Sequence, residues 1–114
     1  MNVRFLDAAA SDAVQAAEFL ERRRRGTGDR FEAAVRRAVA AIGRLPQAHP
    51  RTEDGPHEPE NREVFITRFR YRVVYAIWQG EAVIVAVVHA HQEPAAWVTR
   101  LDDLTDQDPP PTPA

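Results

Sequence analysis

The chain has no cysteine and no lysine, only one methionine, and no apolar run near the roughly 20 residues that a membrane-spanning helix needs. Without cysteine, disulfide scaffolds, thiolate nucleophiles and thiolate metal sites are excluded. The longest uninterrupted apolar stretch, Ala82 to Val88, has the length of a strand. The charged-then-apolar order of a signal peptide is missing from the N-terminus, and the expectation is a cytoplasmic protein with no membrane partner. Without lysine, all 15 basic residues are arginines, and all lie at or before Arg100. Asp102, Asp103, Asp106 and Asp108 lie beyond them. Setting those four aside leaves 13 of the 17 acids against 15 arginines, a mildly basic body that is too weakly charged to argue nucleic-acid binding from bulk charge.

What is present suits one small domain: 114 residues, 44% of them hydrophobic. Val3 and Phe5 alternate in "NVRFL", a short strand. Asp7 is placed to cap a helix running to about Arg25, with Ala10, Ala13, Val14, Ala17 and Leu20 as its apolar face. A second helix is expected from Asp29 to Leu45, with Phe31, Ala34, Val35, Ala38, Ile42 and Leu45 inward. Only Gly26, Thr27 and Gly28 lie between them, so the two must fold back as an antiparallel hairpin. Residues 46–61, broken by Pro46, Pro50, Gly55, Pro56 and Pro59, read as a loop. Three strands follow, "REVFITRF", "YRVVYAIWQ" and "AVIVAVVHAH", with a turn at Gly80–Glu81. The last is apolar on nearly every residue from Val83 to Val88, as a central strand covered on both faces would be. A short helix after Pro94 carries Trp97, Arg100 and Leu101. The fold class is α+β: a strand, a two-helix hairpin packed on a mainly antiparallel sheet, and a short C-terminal helix, with the opposite sheet face left for a partner to cover. One domain is expected over 1–101, followed by a disordered, acidic, proline-rich tail over 102–114.

Three segments in this order resemble the RelE/ParE superfamily of type II toxins, and within it the ParE branch. They are "VRFLDAAASDAVQAAEFL" with Asp12 and Phe19, "REVFITRFRYRVVYAI" in the middle, and "AVVHAHQEPAAWVTR" at the end. The resemblance implies a toxin bound by a cognate antitoxin, whose extended C-terminal segment wraps it with helix and strand contacts. ParE-like members are known for poisoning DNA gyrase, and RelE-like members for cutting mRNA on the ribosome. Two departures stand out: His91 and Gln92 occupy the family's usual Arg-Arg pair, and Arg70 replaces the proline of "F-P-Y".

The residues themselves offer several chemistries. Ribonuclease action needs a base, an acid and cations for the phosphorane, for which Arg62, Arg68 and His91 are the candidates, with His91 in place of a lost arginine. The tail, however, has no aromatic acid or base. His89 and His91 lie i, i+2 at a strand end, a spacing some zinc sites use, but a third ligand would have to be Glu93 or His57; no metal or cofactor is assigned. His89 is expected to be a structural end-stop, its ring N–H held by a backbone or carboxylate acceptor. Arg22 to Arg25 close the first helix, where cations meet the C-terminal dipole; the alternative is a contact to DNA or to an acidic antitoxin surface. Phe65, Thr67 and Phe69 are expected to face the core, and Arg62, Arg68 and Arg70 the opposite, charged side. Trp97 is expected to close the end of the core beside Pro94. The reading is a ParE-like toxin that acts by binding a protein target. Arg68, Arg70 and Arg72 contact target or antitoxin, and the segment from His91 through Trp97 to Arg100 helps engage the target. The alternatives are a ribosome-dependent ribonuclease and a non-toxic member of the fold that retains only antitoxin binding.

Overall fold

The computed structural model describes residues 1–107. In chain order the elements are β1 (Asn2–Phe5), α1 (Asp7–Arg23), α2 (Thr27–Arg44), β2 (Asn61–Ile66), β3 (Tyr71–Trp78), β4 (Glu81–His89) and α3 (Ala95–Gln107). The strands form one sheet in the order β1-β4-β3-β2, with β1 parallel to β4 and the other pairs antiparallel. β4 is therefore central, and residues 82–88 are all buried, which is why that strand carries no polar alternation. Its turn from β3 sits one residue earlier than expected. Gln79 and Gly80 are the central pair, both with positive φ (50° and 76°), and Trp78 pairs with Glu81. Val74 pairs with Ala86 and Tyr75 with Ile84, so Val85 is an extra residue, a bulge that turns Val85 and Ala86 to the same face.

Both faces of the sheet are covered. On the first, α1 and α2 pack over Val73, Tyr75, Ala82, Ile84 and Val87, with Phe31 and Ile42 fully buried between the layers. The apolar face of α1 is Ala9, Ala13, Ala16, Ala17 and Leu20, while Ala10 is exposed and Val14 is 56% exposed. The expected phase was thus off by about one residue. Alanines at 8, 9, 10, 13, 16 and 17 give nearly equal apolar faces at neighbouring phases, and periodicity does not choose among them. Leu45, expected in the α2 stripe, lies beyond the helix end and is exposed. Asp7 is the first residue of α1 rather than its cap; Leu6 holds the cap position without a side-chain bond. Instead, the polar device is at the hairpin turn, where the Glu21 carboxylate accepts from the Gly26 N–H (2.9 Å) and the Gly28 N–H (3.0 Å). Gly28 lets the two helices approach closely, since a Cβ there would lie 2.8 Å from the Ala17 carbonyl oxygen.

The second face carries α3, which corrects the expectation of a bare sheet. Trp97, Leu101 and Leu104, at i, i+4 and i+7, are buried against Val74, Ala76, Val83, Val85 and Val88. Leu104 lies past the expected domain end at Leu101: residues 102–107 continue α3 rather than starting a tail, because the helix needs that further turn to complete its apolar stripe. Residues 108–114, the remainder of the expected tail, lie outside the described residues. No helix among the described residues is long and apolar enough to cross a membrane.

Candidate partner-binding surfaces

The loop over residues 45–60 is irregular but closely fastened to β2 and β3. The Asn61 amide donates to the carbonyls of Pro56 and Pro59 (both 2.8 Å), the Thr52 hydroxyl donates to the Asn61 side-chain oxygen, and the Tyr75 hydroxyl donates to the Pro46 carbonyl. Burial pushes the Tyr75 phenol up to about 12. Two loop backbone bonds lie along the outer edge of β2: Thr52 N–H to Asn61 O (3.2 Å) and Glu63 N–H to Pro50 O (3.0 Å). Alternate residues of a strand present their backbone groups to the same side, so those of Phe65 also point outward. They have no backbone partner among the described residues, and the Phe65 ring is 53% exposed.

Beside this open stretch runs a groove of about 550 Å³ between α2 and the end of β2. Its floor is Ala33, Ala34, Ala38 and Ala41 on α2 and Val64 and Ile66 on β2; Arg30, Arg37 and Arg68 stand around it. The strand faces are the reverse of those expected. Arg62, Val64 and Ile66 lie on the helix-hairpin side, whereas Asn61, Glu63 and Phe65 lie on the side of α3 with Arg72 and Val74, and Thr67 to Arg70 form a turn rather than strand.

That inversion relocates the predicted arginines. Arg72 is only 5% exposed and cannot reach a partner from where it stands. It donates to Asp54 (2.7 and 3.1 Å) and to Glu63 (3.0 Å), with its guanidinium carbon 5.4 Å from the Trp97 ring centroid. The hydrogen bond from Arg72 holds the Asp54 carboxyl below its ordinary value, whereas burial pushes that of Glu63 up against the pull of the same arginine. Trp97 is fully buried, a core residue as its sequence position suggested and not a contact residue. Arg100 likewise turns inward, donating to both Asp12 oxygens (2.7 and 3.2 Å) and to the Val85 carbonyl (3.0 Å), while the Val87 N–H donates to Asp12 (3.0 Å). β1 ends at Phe5, and past it the Asp12–Arg100 pair supplies the partners that the edge of β4 would otherwise lack. Asp12 and Arg100, both within the segments that carry the resemblance, are therefore one structural unit 88 residues apart in sequence.

Three predicted residues do face solvent. Arg68 lies over the Phe69 ring (5.8 Å to its centroid), and Arg70 and His91 are exposed. The Arg70 carbonyl accepts from the Ala90 N–H (2.8 Å), which brings Arg70 and His91 to the same end of the sheet. Arg70 has φ 59°, which a proline ring cannot adopt, so the substitution for proline goes with a different turn backbone. His89 packs edge-on to Tyr71 (5.5 Å), and its Nδ1 accepts from the His91 N–H (3.2 Å), which leaves its ring N–H on Nε2. Among the described residues no group of three or more acidic or histidine side chains is placed to hold a metal.

Of the ribonuclease trio, Arg62 stands apart from Arg68 and His91. Arg62 donates to Glu60 (2.7 Å) and to the His49 carbonyl (2.6 Å). It pairs across from Tyr75, while His89 pairs with Tyr71. Four residues of strand, about 13 Å, separate those positions.

The family described as "ParE toxin of type II toxin-antitoxin system, parDE" matches residues 3–94. No curated protein matches the chain. Among solved structures, a chain of "Chromosomal ParDE TA system from P. aeruginosa" superposes with a TM-score of 0.59 at 16% identity, covering 80% of this chain and 97% of that one, a likeness of fold. With the family match spanning β1 to the start of the last helix, the chain belongs to the ParE toxins of type II toxin–antitoxin systems.

Proposed function

We propose that this toxin acts in the cytoplasm by binding DNA gyrase and is neutralised by a cognate antitoxin whose extended C-terminal segment lies in the groove between α2 and β2. The observation that carries the antitoxin part is the unpaired outer edge at Phe65 beside an alanine-floored, arginine-flanked groove. A strand added there gains main-chain bonds, places small apolar side chains over the alanines, and sets acidic ones against Arg30, Arg37 and Arg68. Gyrase as the target is what the ParE branch implies, and the separation of Arg62 from Arg68 and His91 supports action by binding rather than by RNA cleavage. Arg68, Arg70 and His91, exposed near one end of the sheet, are the proposed target contacts.

Induction of the chain alone in a bacterial host, followed by labelled thymidine and amino-acid incorporation over the first minutes, tests the target. DNA synthesis is expected to stop first; an earlier stop in protein synthesis assigns the ribosome instead. Ala34→Glu in the groove is expected to leave growth arrest intact while co-expressed antitoxin no longer relieves it. Full relief of that variant would place the antitoxin elsewhere.

A further inference from the structure

Arginines that are far apart in sequence meet at one end of the molecule. The α1–α2 turn carries the run Arg22–Arg25 with Arg30 close behind, and the β2–β3 turn carries Arg68 and Arg70. Phe31, next to Arg30, packs edge-on to both Phe69 (5.4 Å) and Tyr71 (5.0 Å), which fixes the two turns side by side. Phe19 and Arg22, at the end of α1, share a hollow of about 410 Å³ with Tyr71 and Gln92 at the same end of the sheet. All seven arginines are exposed, and none is in an ion pair among the described residues, in contrast to Arg51, Arg62, Arg72 and Arg100. Against these seven stand Glu18, Glu21, Asp29 and Glu32, a net of +3; the remaining described residues hold eight arginines and twelve acids, a net of −4. One of the four acids, Glu21, is occupied with the α2 N-terminus.

We infer that this end binds the sugar-phosphate backbone of a nucleic acid. Bulk charge hid it, because the rest of the chain is acidic. Two features favour nucleic acid over an acidic protein. Arg23 lies over Phe19 (5.5 Å) and Arg68 over Phe69 (5.8 Å), and Phe19 is 44% exposed, so guanidinium planes and ring faces stand together, the pairing that takes phosphates and bases. An acidic protein would gain its affinity from an apolar anchor in a pocket; the apolar groove beside Arg30 and Arg68 is the one proposed for the antitoxin, and the hollow beside Arg22, walled by Asp12, Gln15 and Glu18, is too polar to seat a second. The inference does not depend on gyrase being the protein target.

The test is fluorescence anisotropy of a labelled 20-base-pair duplex of arbitrary sequence with the full chain. About four phosphate contacts would weaken binding roughly 100-fold between 50 and 200 mM salt. R22Q/R24Q/R25Q is expected to bind at least tenfold more weakly at 50 mM salt and to lose most of that salt dependence, with R44Q unchanged. F19A is expected to weaken a labelled 20-mer single strand about fivefold. Should the triple variant fail to fold by circular dichroism, R68Q/R70Q carries the same prediction at roughly half the loss of salt dependence. Absent or salt-insensitive binding, or unchanged affinity in the folded arginine variants, overturns the proposal. So does competition by polyglutamate at the same charge concentration as DNA, which assigns the surface to an acidic protein.

Discussion

The two faces of the sheet are built by different chemistry. Under the helix hairpin the contacts are almost wholly apolar, with Phe31, Val35, Ala38 and Ile42 against alternate residues of β3 and β4. Under α3 the apolar stripe of Trp97, Leu101 and Leu104 is flanked by two ion-paired arginines, Arg72 with Asp54 and Glu63, and Arg100 with Asp12. The first face adheres through area removed from water and tolerates adjustment of detail. The second depends on partners present in a set orientation, because a buried charge without its partner is costly. A helix of 13 residues cannot cover the sheet as two helices of 17 and 18 do, and the charges fix where it lies.

The comparison breaks first where each face is most dependent. Phe31→Ala removes the ring that α2 inserts between the layers and should cost about 3–5 kcal/mol in urea unfolding, with no compensating second change available. Arg72→Met should cost about 3 kcal/mol, slightly less, because it leaves the buried Glu63 carboxylate without its cation. Here a second change rescues: Arg72→Met with Glu63→Leu should recover most of the loss, since an apolar replacement of a buried pair is often near neutral. If the double variant is no better than the single one, the α3 face is held by packing after all, and the distinction between the faces disappears.

The same difference governs what could be read from the sequence. The order of elements, the doubly covered β4 and most of the inward face of α2 follow from periodicity and turn residues, signals contained within a single element. The phase of α1 was not legible because its alanines are interchangeable at neighbouring offsets. The α3 face was read least well. Asp54 lies in an irregular loop with nothing to mark it as a partner of Arg72, and Glu63 looks like an ordinary exposed alternate of a strand. The faces of β2 come out inverted when its run is read through to Phe69, whereas the strand ends at Ile66 and the aromatic residues of the turn obey a different geometry. Of the candidate site, Arg68, Arg70 and His91 stand where a partner can reach them; Arg72, Trp97 and Arg100 are framework, and only three-dimensional pairing distinguishes the two sets.

Acid should separate the roles of the carboxylates around Arg72. Glu63, raised by burial, takes up a proton in the folded state before it does in the unfolded one. Its charge therefore costs stability at neutral pH, and that cost is relieved as pH falls through its raised value. Asp54, lowered by Arg72, contributes stability that is complete above the ordinary aspartate value and is lost as pH falls through its depressed one. Unfolding midpoints are thus expected to hold or rise slightly on mild acidification and then fall. Glu63→Gln should remove the first feature, and Asp54→Asn should flatten the second. Identical pH profiles for Asp54→Asn and the unaltered protein would show that the Asp54 bond contributes nothing.

The helix-hairpin face has polar exceptions, and one of them gives the smallest effect. Tyr75 is packed in that apolar layer, yet its hydroxyl reaches through to the Pro46 carbonyl and ties down the start of the loop. Tyr75→Phe keeps the ring and loses one neutral hydrogen bond, which should cost about 1 kcal/mol in urea unfolding at neutral pH. Alkali makes the same contact visible with the opposite sign. Because the folded-state value is pushed up to about 12, the unfolded chain ionises first. Stability is then full below the ordinary tyrosine value of about 10 and is lost as pH rises toward the folded one. Tyr75→Phe has no phenol to ionise at this position, so its deficit relative to the unaltered protein should shrink between pH 10 and 12. A deficit that stays constant across that range would mean that the phenol is not held neutral by burial, and that its bond to Pro46 is a surface contact rather than a pin through the apolar layer.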